Sequence, residues 1–311
     1  MIRDALKQVS HFDKKIRYEQ TKIRSFIGDL AGPPANVGYR PQFLREISNK
    51  HLSFVLYRYS RGDSIAELAQ YFEPLLHYWE ESERLGKEVW TPEQQRIRHT
   101  WSVNLDFYID CFWLVGLALA LEVPEDQWCR LIELVGNEGE DTLLDCIIAT
   151  RTPDRKIGTS LCYPKPYGRL LEAIDAAPSR QPVLLQKFVE HWYKETGLAA
   201  KSGREKQVAV YKAPYWHSYH LMEGGYFGYW CLEAVAAVKA FGIDDSLCVG
   251  HPHYPGDLLR PGVVTAPDMS RLLPELAATI DAEPQPPFIG EPKSITSWEA
   301  FKLVVKDKFG R

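Results

Sequence analysis

The chain contains no CxxC pair, no GxGxxG or GxSxG turn, no Walker loop and no internal repeat. It therefore lacks the short signatures of zinc ribbons, dinucleotide folds, hydrolase elbows, nucleotide-triphosphate sites and solenoids. Its six cysteines, Cys111, Cys129, Cys146, Cys162, Cys231 and Cys248, stand far apart, most of them among apolar neighbours where a thiol packs as a small hydrophobe. Neither a disulfide framework nor a zinc site is expected from such spacing, and no cofactor is called for. No stretch reaches the roughly 18 uncharged apolar residues of a membrane span. The opening residues, MIRDALKQVSHFDKKIRYEQ, are punctuated by charge rather than carrying an apolar signal core, so a cytoplasmic protein with no membrane partner is expected. Sustained strand-like alternation is also missing.

What is present is helical periodicity. Leu6, Val9, Phe12, Ile16, Ile23 and Ile27 recur among Lys14, Lys15, Arg17, Lys22 and Arg24, the pattern of an amphipathic helix with a basic outer face, broken at Gly32-Pro33-Pro34. A second helix is marked by Phe43, Ile47, Leu52, Val55, Leu56 and Tyr59 and ends at Gly62. Ser64 and Glu67 are spaced as a capping box for a third helix that carries Ile65 to Trp79. Thr91-Pro92-Glu93-Gln94 repeats the device, and a long helix is predicted from there towards Leu121, buried in its second half. Pro124 opens another helix, and further ones are predicted over 167–176 and 183–196. The most apolar run follows Gly224, where a core helix closes at Gly242, and Asp244 is placed to cap the next turn. Past residue 261 the prolines exclude long helices, although Trp298, Phe301, Val304 and Val305 suit a last docked turn. The expected architecture is all-α: a multi-helix bundle of two tightly packed helical domains, 1–125 and 126–262, with an irregular Pro-rich extension over 263–311.

Charge is unevenly distributed. Residues 101–150 hold ten Asp and Glu against a single base, Arg130, whereas residues 151–220 carry a surplus of Lys and Arg. Asp106 and Asp110 lie four residues apart and so share a helix face. Paired carboxylates can do acid–base work or hold a cation, but no third ligand accompanies them, and an edge of the buried helix that reaches solvent is expected. Gly136-Asn137-Glu138-Gly139-Glu140-Asp141 reads as an acidic turn that projects outward, the best candidate for a contact surface.

The most specific stretch lies near the C-terminus of the folded part. Tyr215-Trp216 with nearby His, then Gly225-Tyr226-Phe227-Gly228-Tyr229-Trp230 followed by Glu233-Ala234, Gly242-Ile243-Asp244-Asp245, and His251-Pro252-His253-Tyr254-Pro255-Gly256-Asp257-Leu258 arrive in order. This succession resembles the PoNi family of immunity proteins, which protect bacteria from PoNe-type DNase toxins delivered between competing cells, type VI secretion being the expected route. The resemblance is specific over about 130–260, and over 1–125 it rests on the helical pattern. It implies an all-α, non-enzymatic protein that binds and neutralises a cognate nuclease domain in the producer's cytoplasm, with no catalytic residue. It also implies that the motif residues mark the fold, with Glu233 a buried structural carboxylate. The toxin-facing residues vary between such pairs. A nuclease is often basic where it grips phosphate, so an acidic surface from Asp106, Asp110, Glu133, Glu138, Glu140 and Asp141 is expected to meet it.

Two other readings compete. His217, His220, His251 and His253 flank the core run and, with Glu223 or Asp257, are residue types that hold zinc or iron in a metal-dependent helical enzyme. No two of them show i, i+4 spacing on a clear helix. Alternatively Lys156, Lys165, Arg169, Arg180, Lys187, Lys201, Arg204, Lys206 and Lys212 stand beside aromatic residues, as in nucleic-acid binding modules, although the acidic segment opposes a nucleic-acid partner. These bases suit solvent-facing helices, or an acidic region of a second copy in a homodimer.

Overall fold

The computed structural model describes residues 1–32, 37–197, 214–222 and 224–280, and among these every regular element is helical. Helix α1 (Val9–Leu30) turns Phe12, Ile16 and Ile23 inward and leaves Lys14, Arg17 and Arg24 in solvent. Helix α2 (Arg40–Arg61) ends at Gly62, whose φ of 102° is left-handed and suits glycine. A Cβ at Gly62 would also lie 1.9 Å from the Met1 carbonyl oxygen, because the N-terminal segment runs across this helix end.

The expected third helix is divided into α3 (Ile65–Leu68) and α4 (Phe72–Val89), joined by a 3₁₀ turn. The Ser64–Glu67 capping box does not form: Ser64 makes no cap bond, and the Glu67 carboxylate pairs with the Arg58 guanidinium at 2.8 Å. The Thr91–Gln94 box does form, in both directions, and opens α5 (Pro92–His99).

The long helix predicted to continue to Leu121 is interrupted. Asn104 accepts a hydrogen bond from the Phe107 amide at 3.0 Å while its own amide donates to the carbonyls of Ile97 and Arg98. One side chain thus closes α5 and caps α6 (Leu105–Ala120), so the chain restarts in a new direction. Asp106 is the one residue of α6 that is not buried. Next come α7 (Glu125–Val135), α8 (Thr142–Ala149), α9 (Pro164–Asp175) and α10 (Gln181–Gly197).

The core helix α11 (Leu232–Phe241) begins later than its apolar pattern suggests. Residues 225–231 are not helical, and Gly228 has a φ of 105° that interrupts any helix there. Gly242 closes α11 in the left-handed conformation, as expected. The last helix, α12 (Pro274–Ala277), packs Leu276 into the core, so the Pro-rich extension stays on the body as far as residue 280. The turn expected around Trp298, Phe301, Val304 and Val305 lies outside the described residues, as do Lys201, Arg204, Lys206, Lys212 and Glu223.

Packing explains the order. Helices α1, α2 and α4 lie side by side, α9 pairs with α10, and α6 packs on α11. Gly116 permits the α6–α11 approach: a Cβ there would sit 2.9 Å from the Leu232 carbonyl oxygen. A single hydrophobic cluster runs through all of these and includes side chains on both sides of residue 125. In its middle Trp216 stacks on Trp192 at 5.5 Å between ring centroids and meets Trp113 in a tilted pair at 5.3 Å. Such pairs contribute about 0.5–1.5 kcal/mol each beyond their buried area. Among the described residues no helix is long and apolar enough to cross a membrane.

Candidate functional site

The motif residues assemble into an internal framework. Gly228 lets the backbone pass where a Cβ would meet Trp230 Nε1 at 2.1 Å and Ser60 Oγ at 2.5 Å. Those two atoms are themselves bonded: the Trp230 indole donates to Ser60 Oγ at 2.8 Å, and Ser60 Oγ donates to the Phe227 carbonyl at 2.6 Å. Tyr226 donates its hydroxyl to Asp4 Oδ2 at 2.5 Å, and burial pushes the Asp4 carboxyl up to about 6. Asp257 pairs with Arg3 at 2.8 Å, both buried, and accepts from the Thr265 amide. Arg3 also donates to the carbonyls of Tyr59 and Asp63. Tyr254 donates to Asp245, which pairs with Arg260, and Asp244 accepts from the Ser246 amide. Pro252 and Pro255 are buried beside them. Gly225 sits against the Tyr219 ring, where a Cβ would come within 2.9 Å.

Glu233 is wholly buried on α11, and the Tyr167 hydroxyl donates to its Oε1 at 3.0 Å while Oε2 has no partner. Burial raises this carboxyl to about 7, against the lowering effect of Tyr167 and of the nearby Trp192 and Trp113 indoles. The indoles face it without meeting hydrogen-bond geometry, since their Nε1 atoms are also unpartnered.

The four histidines serve this framework. His217 Nε2 bonds the Tyr193 carbonyl at 2.9 Å, and His220 Nδ1 bonds the Tyr229 hydroxyl at 2.5 Å. His251 Nδ1 accepts from the His253 amide, and His253 Nδ1 bonds the Tyr229 carbonyl. Burial holds all four below the usual histidine range, His251 to about 3 and His253 to about 4. Among the described residues no three His, Cys, Asp or Glu side chains are placed to hold a metal ion. The four histidines of the alternative metal reading instead make their hydrogen bonds within an aromatic cluster, and Glu223, named with them, lies outside the described residues.

The six acidic residues are not one surface. Asp141 is fully buried because it caps α8, accepting from the Leu144 amide at 2.8 Å, the Cys162 amide at 2.7 Å and the Tyr108 hydroxyl at 3.1 Å. Asp110 is buried on the central helix α6, and Asp106 beside it is half-buried, accepting from the Tyr215 amide at 3.2 Å. Both therefore leave the outward surface to Glu133, Glu138 and Glu140, which are exposed at the end of α7 and in the following turn. No ion pair reaches these three among the described residues, whereas Glu122 and Glu125 nearby are taken by Lys239 and Arg151. Sequence reasoning missed two structural acids. Asp145 pairs with buried Arg155 at 2.8 Å and holds the amides of Gly139 and Gly158, and Asp4 anchors the N-terminus. The Asp141-x-x-x-Asp145 spacing at a helix start was the available signal for the first; for Asp4 there was none.

Most ionisable motif residues are thus bonded inside an all-α framework, while Glu133, Glu138 and Glu140 stand on its surface. Residues 3–133 match the family model of the PoNe immunity protein (PoNi) N-terminal region, and residues 139–258 that of the C-terminal region. The chain belongs to the PoNe immunity protein (PoNi) family. It is similar in fold to a solved structure, "The Crystal Structure of Protein PA2201 from Pseudomonas aeruginosa", with a TM-score of 0.60 and 17% identity over 83% of this chain and 89% of that one. A comparison with curated proteins returned no match.

Proposed function

We propose that this immunity protein neutralises a PoNe-type DNase toxin by binding its nuclease domain in the cytoplasm of the producing cell, with Glu133, Glu138 and Glu140 steering the encounter. The observation that carries the acidic face is that these three carboxylates are exposed in the most acidic segment of the chain and, among the described residues, enter no ion pair, while Glu122 and Glu125 nearby do. Rim charges of this kind accelerate association with a basic partner and reject nucleic acid, while adding little to the lifetime of the complex. A surface that meets a phosphate-gripping groove in place of DNA would keep substrate out. Family membership supports the immunity role, and delivery of the toxin through a type VI secretion system is part of the same proposal. No catalytic step is assigned to any residue.

The test is co-purification with the nuclease domain of the toxin encoded beside this gene, followed by DNA degradation with and without the immunity protein. A stable complex that abolishes cleavage is expected; active nuclease beside an unbound partner would overturn the proposal. Replacing Glu133, Glu138 and Glu140 by lysine should slow association about tenfold and flatten its dependence on salt, with folding intact. Association kinetics like those of the unaltered protein would refute the acidic face.

A further inference from the structure

Asp106 and Asp110 occupy the first two turns of α6, one turn apart on a single face. Among the described residues the only cation paired with either is Arg45 on α2, whose Nη2 lies 3.9 Å from Asp110 Oδ2, beyond hydrogen-bond reach, and whose guanidinium lies instead over the Trp79 ring at 4.0 Å. Asp110 is only 7% exposed, yet its Oδ1 has no hydrogen-bond partner. Buried carboxylates are ordinarily paired or fully hydrogen-bonded, so an orphaned oxygen on an ionisable group calls for a missing donor. Asp106 holds one amide, that of Tyr215, and is the more accessible of the two. Tyr215 is 39% exposed and meets Tyr219 edge-on at 5.8 Å, so an aromatic pair lies beside Asp106, which holds the Tyr215 amide. Burial and the neighbouring Asp110 raise Asp106 to about 7, and burial raises Asp110 to about 6, as expected of acids short of a counter-charge.

We infer that Asp106 and Asp110 form a receptor for one cationic side chain, an arginine of the toxin partner, which enters past Tyr215 and donates to Asp110 Oδ1 and to Asp106. A guanidinium suits this acid pair better than an ammonium, because its flat fork can serve two carboxylates while its face lies on a tyrosine ring. The inference rests on the toxin-binding reading and adds a specific anchor to it. The steering carboxylates act on the rate of encounter, and this acid pair acts on the lifetime of the complex.

The experiment uses the full chain and a catalytically inactive nuclease domain of the adjacent toxin. Asp110→Asn and the double variant Asp106→Asn/Asp110→Asn are compared with the unaltered protein in binding kinetics and in thermal melting without partner. Removing an unpaired buried charge should leave the free protein as stable or more stable. The same change should speed dissociation about 10- to 100-fold with association unaltered, the loss expected for a charge-assisted hydrogen bond. Single arginine-to-alanine variants of the toxin domain should include one whose loss is not additive with Asp110→Asn. Dissociation unchanged in both aspartate variants would overturn the inference while leaving the immunity reading intact. Failure of the unaltered protein to bind the toxin would overturn both. A variant that melts lower and dissociates faster in proportion would show a structural role instead, and would also overturn it.

Discussion

Arg3 is expected to contribute more to stability than any other residue near the N-terminus, and Arg3→Met measures it. Its guanidinium donates to Asp257 at 2.8 Å, to the Tyr59 carbonyl at 3.0 Å and to the Asp63 carbonyl at 2.8 Å, and lies over the Tyr59 ring at 4.8 Å. Methionine keeps the volume of the stem and removes the charge. The buried Asp257 then keeps only the Thr265 amide, and leaving one member of a buried pair uncompensated costs about 3–5 kcal/mol. The two carbonyls add about 1 kcal/mol each where water does not replace the donor. The expected loss is therefore about 5 kcal/mol, a large part of the roughly 5–15 kcal/mol that holds a typical domain together. At about 2–4 °C per kcal/mol, Tm falls by about 10–20 °C. Urea titration followed by tryptophan fluorescence reads the change. Asp257→Asn in the same chain should recover part of it, with a coupling of about 2 kcal/mol or more between the two positions. A loss below about 1 kcal/mol for Arg3→Met, or strict additivity in the double variant, would refute the view that this ion pair fastens the N-terminus to the C-terminal motif.

The other predictions concern the same framework. Gly228→Ala should lower stability by about 3 kcal/mol, from a φ of 105° that a Cβ resists and from displacement of the Ser60–Trp230 bond; equal melting temperatures would count against it. Glu233→Gln tests a carboxyl raised to about 7 in the folded chain against an ordinary 4.5. Such a group favours folding fully below about pH 4.5 and loses that contribution as pH rises through 7. Stability of the variant relative to the unaltered protein should therefore improve by about 3 kcal/mol between pH 4.5 and pH 8. A pH-independent difference in urea midpoints would place the Glu233 proton elsewhere.

Much of the fold was legible because its signals are local. The Thr91–Gln94 box, the left-handed caps at Gly62 and Gly242, and the inward stripe of α1 each depend on residues within a few positions of one another. The errors came where a distant or competing partner decided. Glu67 was drawn from its cap by the Arg58 charge, and Asn104 divided a helix whose apolar pattern ran on without a break. The run after Gly224 is as apolar as a core helix, but its first residues are held non-helical by a left-handed glycine and by Ser60 from α2. Of the acidic site, Glu133, Glu138 and Glu140 emerged on the surface, whereas Asp110 and Asp141 did not. A carboxylate in a sequence has no side, and only packing tells a displayed acid from a helix cap.

By itself the sequence determined the helical class, the main caps and breaks, and the ordered motifs that mark the family, since all of these follow from spacing along the chain. Tertiary structure alone decided which ionisable groups are used up inside. It joined Arg3 to Asp257 across the whole folded chain, turned His251 and His253 into hydrogen-bonded core members, and left Asp110 with an unanswered oxygen. Those outcomes depend on what each charge meets after burial, and the energy of a buried charge is set by its neighbours in space rather than in sequence.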